Sequence, residues 1–228
     1  MAGLDPIVYI IDDDQAMVES LSWIIESIGL KVKTFIRPQE FLEEYDPQIH
    51  GCLLLDVRMP GMSGFDLHAH LVKQRINIPI IFVSGYADIP MSVKAIKGGA
   101  VEFLSKPFRD EDLLDAVRAA LDRDRQQREQ NEKMNDLRRR YDALTQREQQ
   151  VMSFVVAGLM NKQIGEELGL AEVTVKVHRH TLMKRIGAKT LADLVRMARL
   201  LGLPHEGEWQ TNDYYNGSDL LARLFRPS

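Results

Sequence analysis

The chain has 228 residues, 45% of them hydrophobic and 27% charged, and a formal net charge of −4. That length holds one large domain or two small ones, and the composition speaks against a disordered or fibrous protein. With Cys52 as its single cysteine, the chain has neither an intrachain disulfide framework nor an all-cysteine metal site.

The first residues, MAGLDPIVYIIDDD, lack a basic start and meet acid too soon for a secretory signal. No apolar run reaches the roughly 18–20 residues that cross a bilayer, so the expected setting is soluble and cytoplasmic with no membrane partner. Ile7 to Ile11 is a short continuous apolar run, the pattern of a strand buried on both faces of a parallel sheet. Met17, Val18, Leu21, Ile24, Ile25 and Ile28 then recur at helical spacing up to a stop at Gly29. The cycle repeats: a strand at Val32 to Phe35 precedes a helix at 38–44, Cys52 to Leu55 precedes 64–74, and Ile80 to Val83 precedes 89–97. Val101 to Leu104 precedes a helix starting near Asp110. Five such units in about 120 residues specify a doubly wound α/β fold around a five-stranded parallel sheet with right-handed crossovers.

Residues 122–141 interleave charges without Pro or Gly, which favours a long solvated helix over a flexible linker. Their thin apolar stripe is too weak for an independent coiled coil. From Thr145 the pattern is all-α: helices at 145–157, 161–168, 172–186 and 190–201, with a tight turn at Gly169-Leu170 between the second and third. That is helix-turn-helix spacing. Thr145-x-x-Glu148 and Thr190-x-x-Asp193 read as capping boxes, whereas Ala171 stands at a helix start without a side-chain acceptor. Beyond Pro204 the chain turns loop-like, with one amphipathic stretch at 218–225. The expected division is 1–121, a helical linker 122–141, a four-helix domain 142–203 and a tail 204–228. Charge divides the same way: 11 basic against 18 acidic residues over 1–121, net −7, and 9 against 6 over 142–203, net +3.

In a doubly wound sheet, sites form beyond the carboxyl ends of the strands. Asp12, Asp13 and Asp14 follow strand one, Asp56 strand three, Ser84 strand four, and Ser105-Lys106-Pro107 strand five. Crowded carboxylates need a cation, and oxygen donors without His or Cys select a hard one such as Mg²⁺. A metal and a lysine facing an aspartate suit phosphoryl transfer to that aspartate. Taken singly, acids after a strand are often helix caps, and Asp14 is expected to be one. Lys-Pro after strand five points to a fixed turn that admits a cis bond.

IIDDD, LLLDVRMPGMSG, PIIFVSG and GGAVEFLSKPF together resemble the receiver domain of bacterial two-component response regulators, over roughly residues 5–121. The resemblance implies Asp56 as phosphoacceptor; Asp13, Asp12 and Asp56 as Mg²⁺ ligands with the backbone carbonyl of Arg58; and Lys106 as partner of the phosphoryl group. Ser84 would hydrogen-bond that group on activation while the ring of Phe103 turns inward. An aromatic ending a buried strand also serves as plain core, so both readings of Phe103 stand.

Residues 144–190 are similar to the LuxR-type helix-turn-helix of the NarL/FixJ group, most sharply in AGLMNK and TVKVHR. GLMNKQI and AEVTVKVHRH are especially similar to the styrene-pathway regulator subgroup. On the recognition helix, about 172–186, Val175, Leu182 and Ile186 form a buried stripe, while Lys176, Arg179, His180 and Lys184 point largely outward. The resemblance places Lys176, Val177 and His180 at base edges and Asn161, Lys162, Thr174 and His178 at phosphates, with Arg179 on the same DNA-binding surface. Lys184 and Arg185 also favour a helix C-terminus for electrostatic reasons alone.

The implied protein is a phosphorylation-dependent transcriptional regulator rather than an enzyme. A sensor histidine kinase would be its phosphodonor and double-stranded promoter DNA its target. It would pair into a homodimer on phosphorylation, with RNA polymerase as a further partner to consider. Two other readings fit parts of the pattern: an adaptor whose rear helices bind protein, and a stand-alone aspartyl-phosphate phosphatase.

Overall fold

The computed structural model describes residues 5–85 and 88–203. The chain divides into two compact units, 1–129 and 130–228. The amphipathic stretch read at 218–225 lies outside the described residues.

The first unit alternates β1 (Ile7–Ile11), α1 (Gln15–Glu26), β2 (Lys31–Phe35), α2 (Pro38–Glu44), β3 (Gly51–Asp56), α3 (Gly64–Lys73), β4 (Ile80–Ser84), α4 (Ile89–Lys97) and β5 (Glu102–Ser105), ending in α5 (Asp110–Asp142). All strand pairs are parallel, in the order β2-β1-β3-β4-β5. The order reverses between β1 and β3, so their carboxyl ends flank the crevice where such sheets bind ligands. β3 and β4 are buried at every position, as the continuous apolar runs require. One sheet face packs Val8, Ile10, Leu54 and Val83 against α1 and the front of α5, with Leu113, Val117 and Ala120. The other packs Tyr9, Ile11, Leu55 and Phe82 with Phe41, Leu67 and Leu71.

Two expectations need correction. Ile28 lies beyond the end of α1 and is 39% exposed, because the helix closes at Ser27 and turns through Gly29. Val101 lies outside β5, which begins at Glu102, although its N–H donates to the Ile80 carbonyl.

A buried ionic knot holds the amino end of β3. Asp124 on α5 accepts from the Gly51 N–H at 3.1 Å, from Arg128 Nε at 2.7 Å and pairs with His50. The Arg128 guanidinium also donates to the carbonyls of Pro47, Gln48 and Ile49. A carboxylate this deeply buried requires such partners.

In the second unit, the rear of α5 is followed by α6 (Gln146–Val156), α7 (Asn161–Leu168), α8 (Glu172–Ile186) and α9 (Leu191–Leu200). One apolar core gathers Leu137, Leu144, Phe154, Ile164, Val175, Leu182, Ile186 and Leu194. Both capping boxes form, Thr145 with Glu148 and Thr190 with Asp193. The α7–α8 turn passes through left-handed Gly169, and it packs so closely that a side chain at Gly165 would meet the Leu170 carbonyl at 2.6 Å.

Candidate functional site

The carboxyl ends of β1 and β3 place Asp12 and Asp56 side by side, 3% and 7% exposed. Between them stands Lys106, which follows β5; its Nζ donates to Asp12 Oδ2 at 2.8 Å and to Asp56 Oδ1 at 3.0 Å. The other Asp56 oxygen, Oδ2, accepts the Arg58 backbone N–H at 2.6 Å. The second Asp12 oxygen accepts the N–H of Asp14, whose own side chain caps α1 by accepting from Ala16 and Met17. The turn carrying Lys106 contains a cis Lys106-Pro107 bond and is joined to β4 by the Lys106 N–H donating to the Ser84 carbonyl at 2.8 Å.

Burial pushes the Asp56 carboxyl above its ordinary range, and the Asp12 charge adds to that rise; the Lys106 ammonium and the Arg58 N–H oppose it without reversing it. Burial lowers the proton affinity of Lys106, but its hydrogen bonds to Asp12 and Asp56 outweigh that, and the ammonium is held above its usual range. The result is a fixed, oriented carboxylate of raised basicity beside a permanent positive charge. Such a carboxylate can act as a nucleophile toward phosphorus.

Asp13 is exposed, and among the described residues no three His, Cys, Asp or Glu side chains gather as a metal cage. The Lys106 ammonium stands between the two buried carboxylates, Asp12 and Asp56. Mg²⁺ keeps several waters and takes one or two carboxylates, so the donor chemistry present still fits it. Ser84 is buried at the end of β4, where its strand neighbour is Ser105. Phe103 is half-buried on β5, its ring 6.4 Å from that of Phe82 at the edge of the core.

The sequence reading missed one residue of this pocket. Gly64 opens α3 against the backbone of the acceptor strand: a Cβ there would lie 2.2 Å from the Asp56 main-chain carbonyl oxygen. Its only signal was its place after the Ser63 cap, where a glycine has no propensity reason to stand.

On the second unit, Val175, Leu182 and Ile186 bury the inner side of α8, while Lys176, Val177, His180 and Lys184 are exposed. Thr174 and His178 are half-buried, Asn161 opens α7, and Lys162 beside it is exposed. Arg179 is less free than expected: half-buried, it donates to Asn161 Oδ1 at 3.1 Å and ties the start of α7 to α8. Lys176 is paired with Glu172 at 2.8 Å, one turn earlier. A groove runs past Asn161, Lys176, Arg179, His180, Lys184 and Lys189, where four cationic side chains stand over an apolar floor of Met183 and Ala188. Arg185 turns instead to the buried Glu148, donating at 2.9 Å to the oxygen that also accepts from Thr145. Ala171 does begin α8 without a side-chain acceptor.

Comparison with known proteins adds the following. The family described as response regulator receiver domain matches residues 8–118, and that of bacterial regulatory proteins, luxR family, matches residues 142–198. Nodulation protein W of Bradyrhizobium diazoefficiens is 49% identical over 92% of this chain and 92% of its own length. Transcriptional regulatory protein FixJ of Azorhizobium caulinodans is 41% identical over 86% of this chain and 93% of its own. A low-resolution structure of the response regulator StyR matches with a TM-score of 0.76 at 46% identity, covering 86% of this chain and 99% of that one. Full-length FixJ from B. japonicum matches with a TM-score of 0.52 at 35% identity, covering 90% and 100%.

Proposed function

We propose that this chain, which belongs to the response regulators with a LuxR-type DNA-binding domain, takes a phosphoryl group on Asp56 and thereby controls its binding to promoter DNA. One observation carries the acceptor assignment: Asp56 is the buried carboxylate that Lys106 and the Arg58 N–H hold from two sides. An Asp56 oxygen attacks the phosphorus of a phosphohistidine on a sensor histidine kinase. The new P–O bond forms as the P–N bond breaks, and the imidazole leaves with the electron pair.

Asp12, Asp13 and Asp56, with the Arg58 carbonyl, would hold Mg²⁺, which supplies charge neutralisation for the incoming phosphoryl group. Lys106 is placed to share that task. The new group adds about −1.5 to −2 charge, which draws the Ser84 hydroxyl and the Lys106 ammonium toward it. Phe103, at the edge of the core, turns inward into the space released. This is a local charge change biasing a two-state element.

The division into receiver 1–121, linker 122–141, helix-turn-helix 142–203 and tail 204–228 belongs to the same reading. In the helix-turn-helix, Lys176, Val177 and His180 contact base edges, and Asn161, Lys162, Thr174 and His178 contact phosphates. Arg179 braces Asn161 from the same surface. Phosphorylated chains pair, and their recognition helices reach half-sites about 34–36 Å apart or a multiple of that. The setting is the cytoplasm; among the described residues no helix is long and apolar enough to cross a membrane. RNA polymerase is the partner such an arrangement would engage at a promoter.

Incubation with a small phosphodonor and Mg²⁺ tests the acceptor: labelling reaches one phosphoryl group per chain and is lost in Asp56→Asn. Equal labelling of that variant overturns it, and continuous turnover of a small phosphoester would favour a phosphatase instead.

A further inference from the structure

The recognition helix carries two large apolar side chains that its core does not use. Val173 is 67% exposed and Val177 60% exposed, whereas Val175 between them is fully buried. They stand four residues apart, one helical turn, so both lie on the same side of α8. Lys176 and His180, each three residues after one of the valines, occupy the same exposed side, and all four belong to the first nine residues of the helix. β-branched valine gains nothing from an exposed helix position, where its propensity is below average. A solvent-facing apolar pair beside Lys176 and His180, on the helix that also lends Arg179 and Lys184 to the neighbouring groove, therefore fits a partner that is itself anionic with apolar points. The DNA major groove meets that description: phosphates line its edges, and the thymine 5-methyl is its apolar feature.

Resting on the DNA-binding reading above, we propose that Val173 is a further specificity-determining residue, and that Val173 and Val177 together read two thymine methyl groups. Four residues of helix rise span about 6 Å, against about 3.4 Å per base pair. The two methyls then lie one or two base steps apart, on one or both strands. Lys176 and His180 supply polar contacts beside the pair. Lys176 exchanges its ion pair with Glu172 for the groove as it binds. Val173 is near the amino end of α8, the part of a recognition helix that enters the groove most deeply in this motif.

The test uses the full chain with phosphodonor and Mg²⁺, on a half-site obtained by selection from random DNA. Each thymine of the half-site is replaced in turn by deoxyuridine, which removes the methyl and nothing else. For the wild-type chain, affinity falls about three- to tenfold at two positions one or two steps apart, the scale of one buried methyl. Val173→Ala abolishes the sensitivity at one of these positions and Val177→Ala at the other. Each variant keeps the wild-type unfolding temperature within a degree or two, since neither valine is in the core.

Several results overturn the proposal: a wild-type chain indifferent to every methyl, a selected half-site without thymine, or Val173→Ala retaining sensitivity at both positions. So does a uniform loss across all DNAs, or a change in self-association without any thymine dependence. Failure to retain DNA at all would instead sink the DNA-binding reading itself.

Discussion

Asp56 is placed where its negative charge costs stability. Its carboxyl is raised mainly by burial, and a group that binds its proton more tightly when folded destabilises the fold at pH values above that raised range. The penalty disappears as pH falls through the folded range toward the ordinary aspartate value. Asp56→Asn therefore stabilises the chain near neutrality, by on the order of 1 kcal/mol, and the gain shrinks on acidification; denaturant melts at two pH values read it. Gly64 is constrained by space rather than charge. Gly64→Ala places a methyl 2.2 Å from the Asp56 carbonyl, which costs about 1–3 kcal/mol and slows labelling of Asp56. A fully stable, normally labelled variant would contradict that packing. The acids and Lys106 were legible because strand ends in a doubly wound sheet converge by topology. Gly64 was not, since close backbone approach leaves no mark in periodicity.

At the scale of the elements, α8 is held by contacts of uneven kinds. Ala171 leaves its first N–H groups without a side-chain acceptor, so Ala171→Ser raises the stability of the helical unit by about 1 kcal/mol, seen as a higher midpoint in its thermal unfolding. At the other end, Arg185 serves Glu148 rather than a partner in solvent. Burial raises the Glu148 carboxyl, but the Thr145 N–H and hydroxyl and the Arg185 charge overcome that and hold it below the ordinary glutamate range. A depressed carboxyl contributes stability above its unfolded range and loses it as pH falls through the folded one. The helical unit is accordingly acid-sensitive, and Glu148→Gln flattens its stability profile below pH about 5. The boundaries of these helices were readable from caps and glycines. The Glu148–Arg185 pair was not, because 37 residues separate its members and only the folded core brings them together; the Asp124 knot with His50 and Gly51 was hidden for the same reason.

For the whole molecule, the net charge of −4 conceals an acidic front and a basic rear. DNA affinity depends on where the rear charges stand, since phosphate neutralisation sets the salt dependence of binding. Lys176→Ala lowers the salt slope by about one and relaxes specificity at the base it contacts. Lys184→Ala at the outer end of the helix changes overall affinity more than base preference; the reverse pattern would reassign the groove. Linkage between the two units is the central claim, and the most direct measurement is DNA affinity of the full chain with and without phosphodonor, for wild type and Asp56→Asn. The account predicts tighter binding of selected DNA by the phosphorylated wild type and no response to the donor in Asp56→Asn. An Asp56→Asn chain that responds like wild type, or a labelled wild type whose DNA affinity does not change, would contradict it.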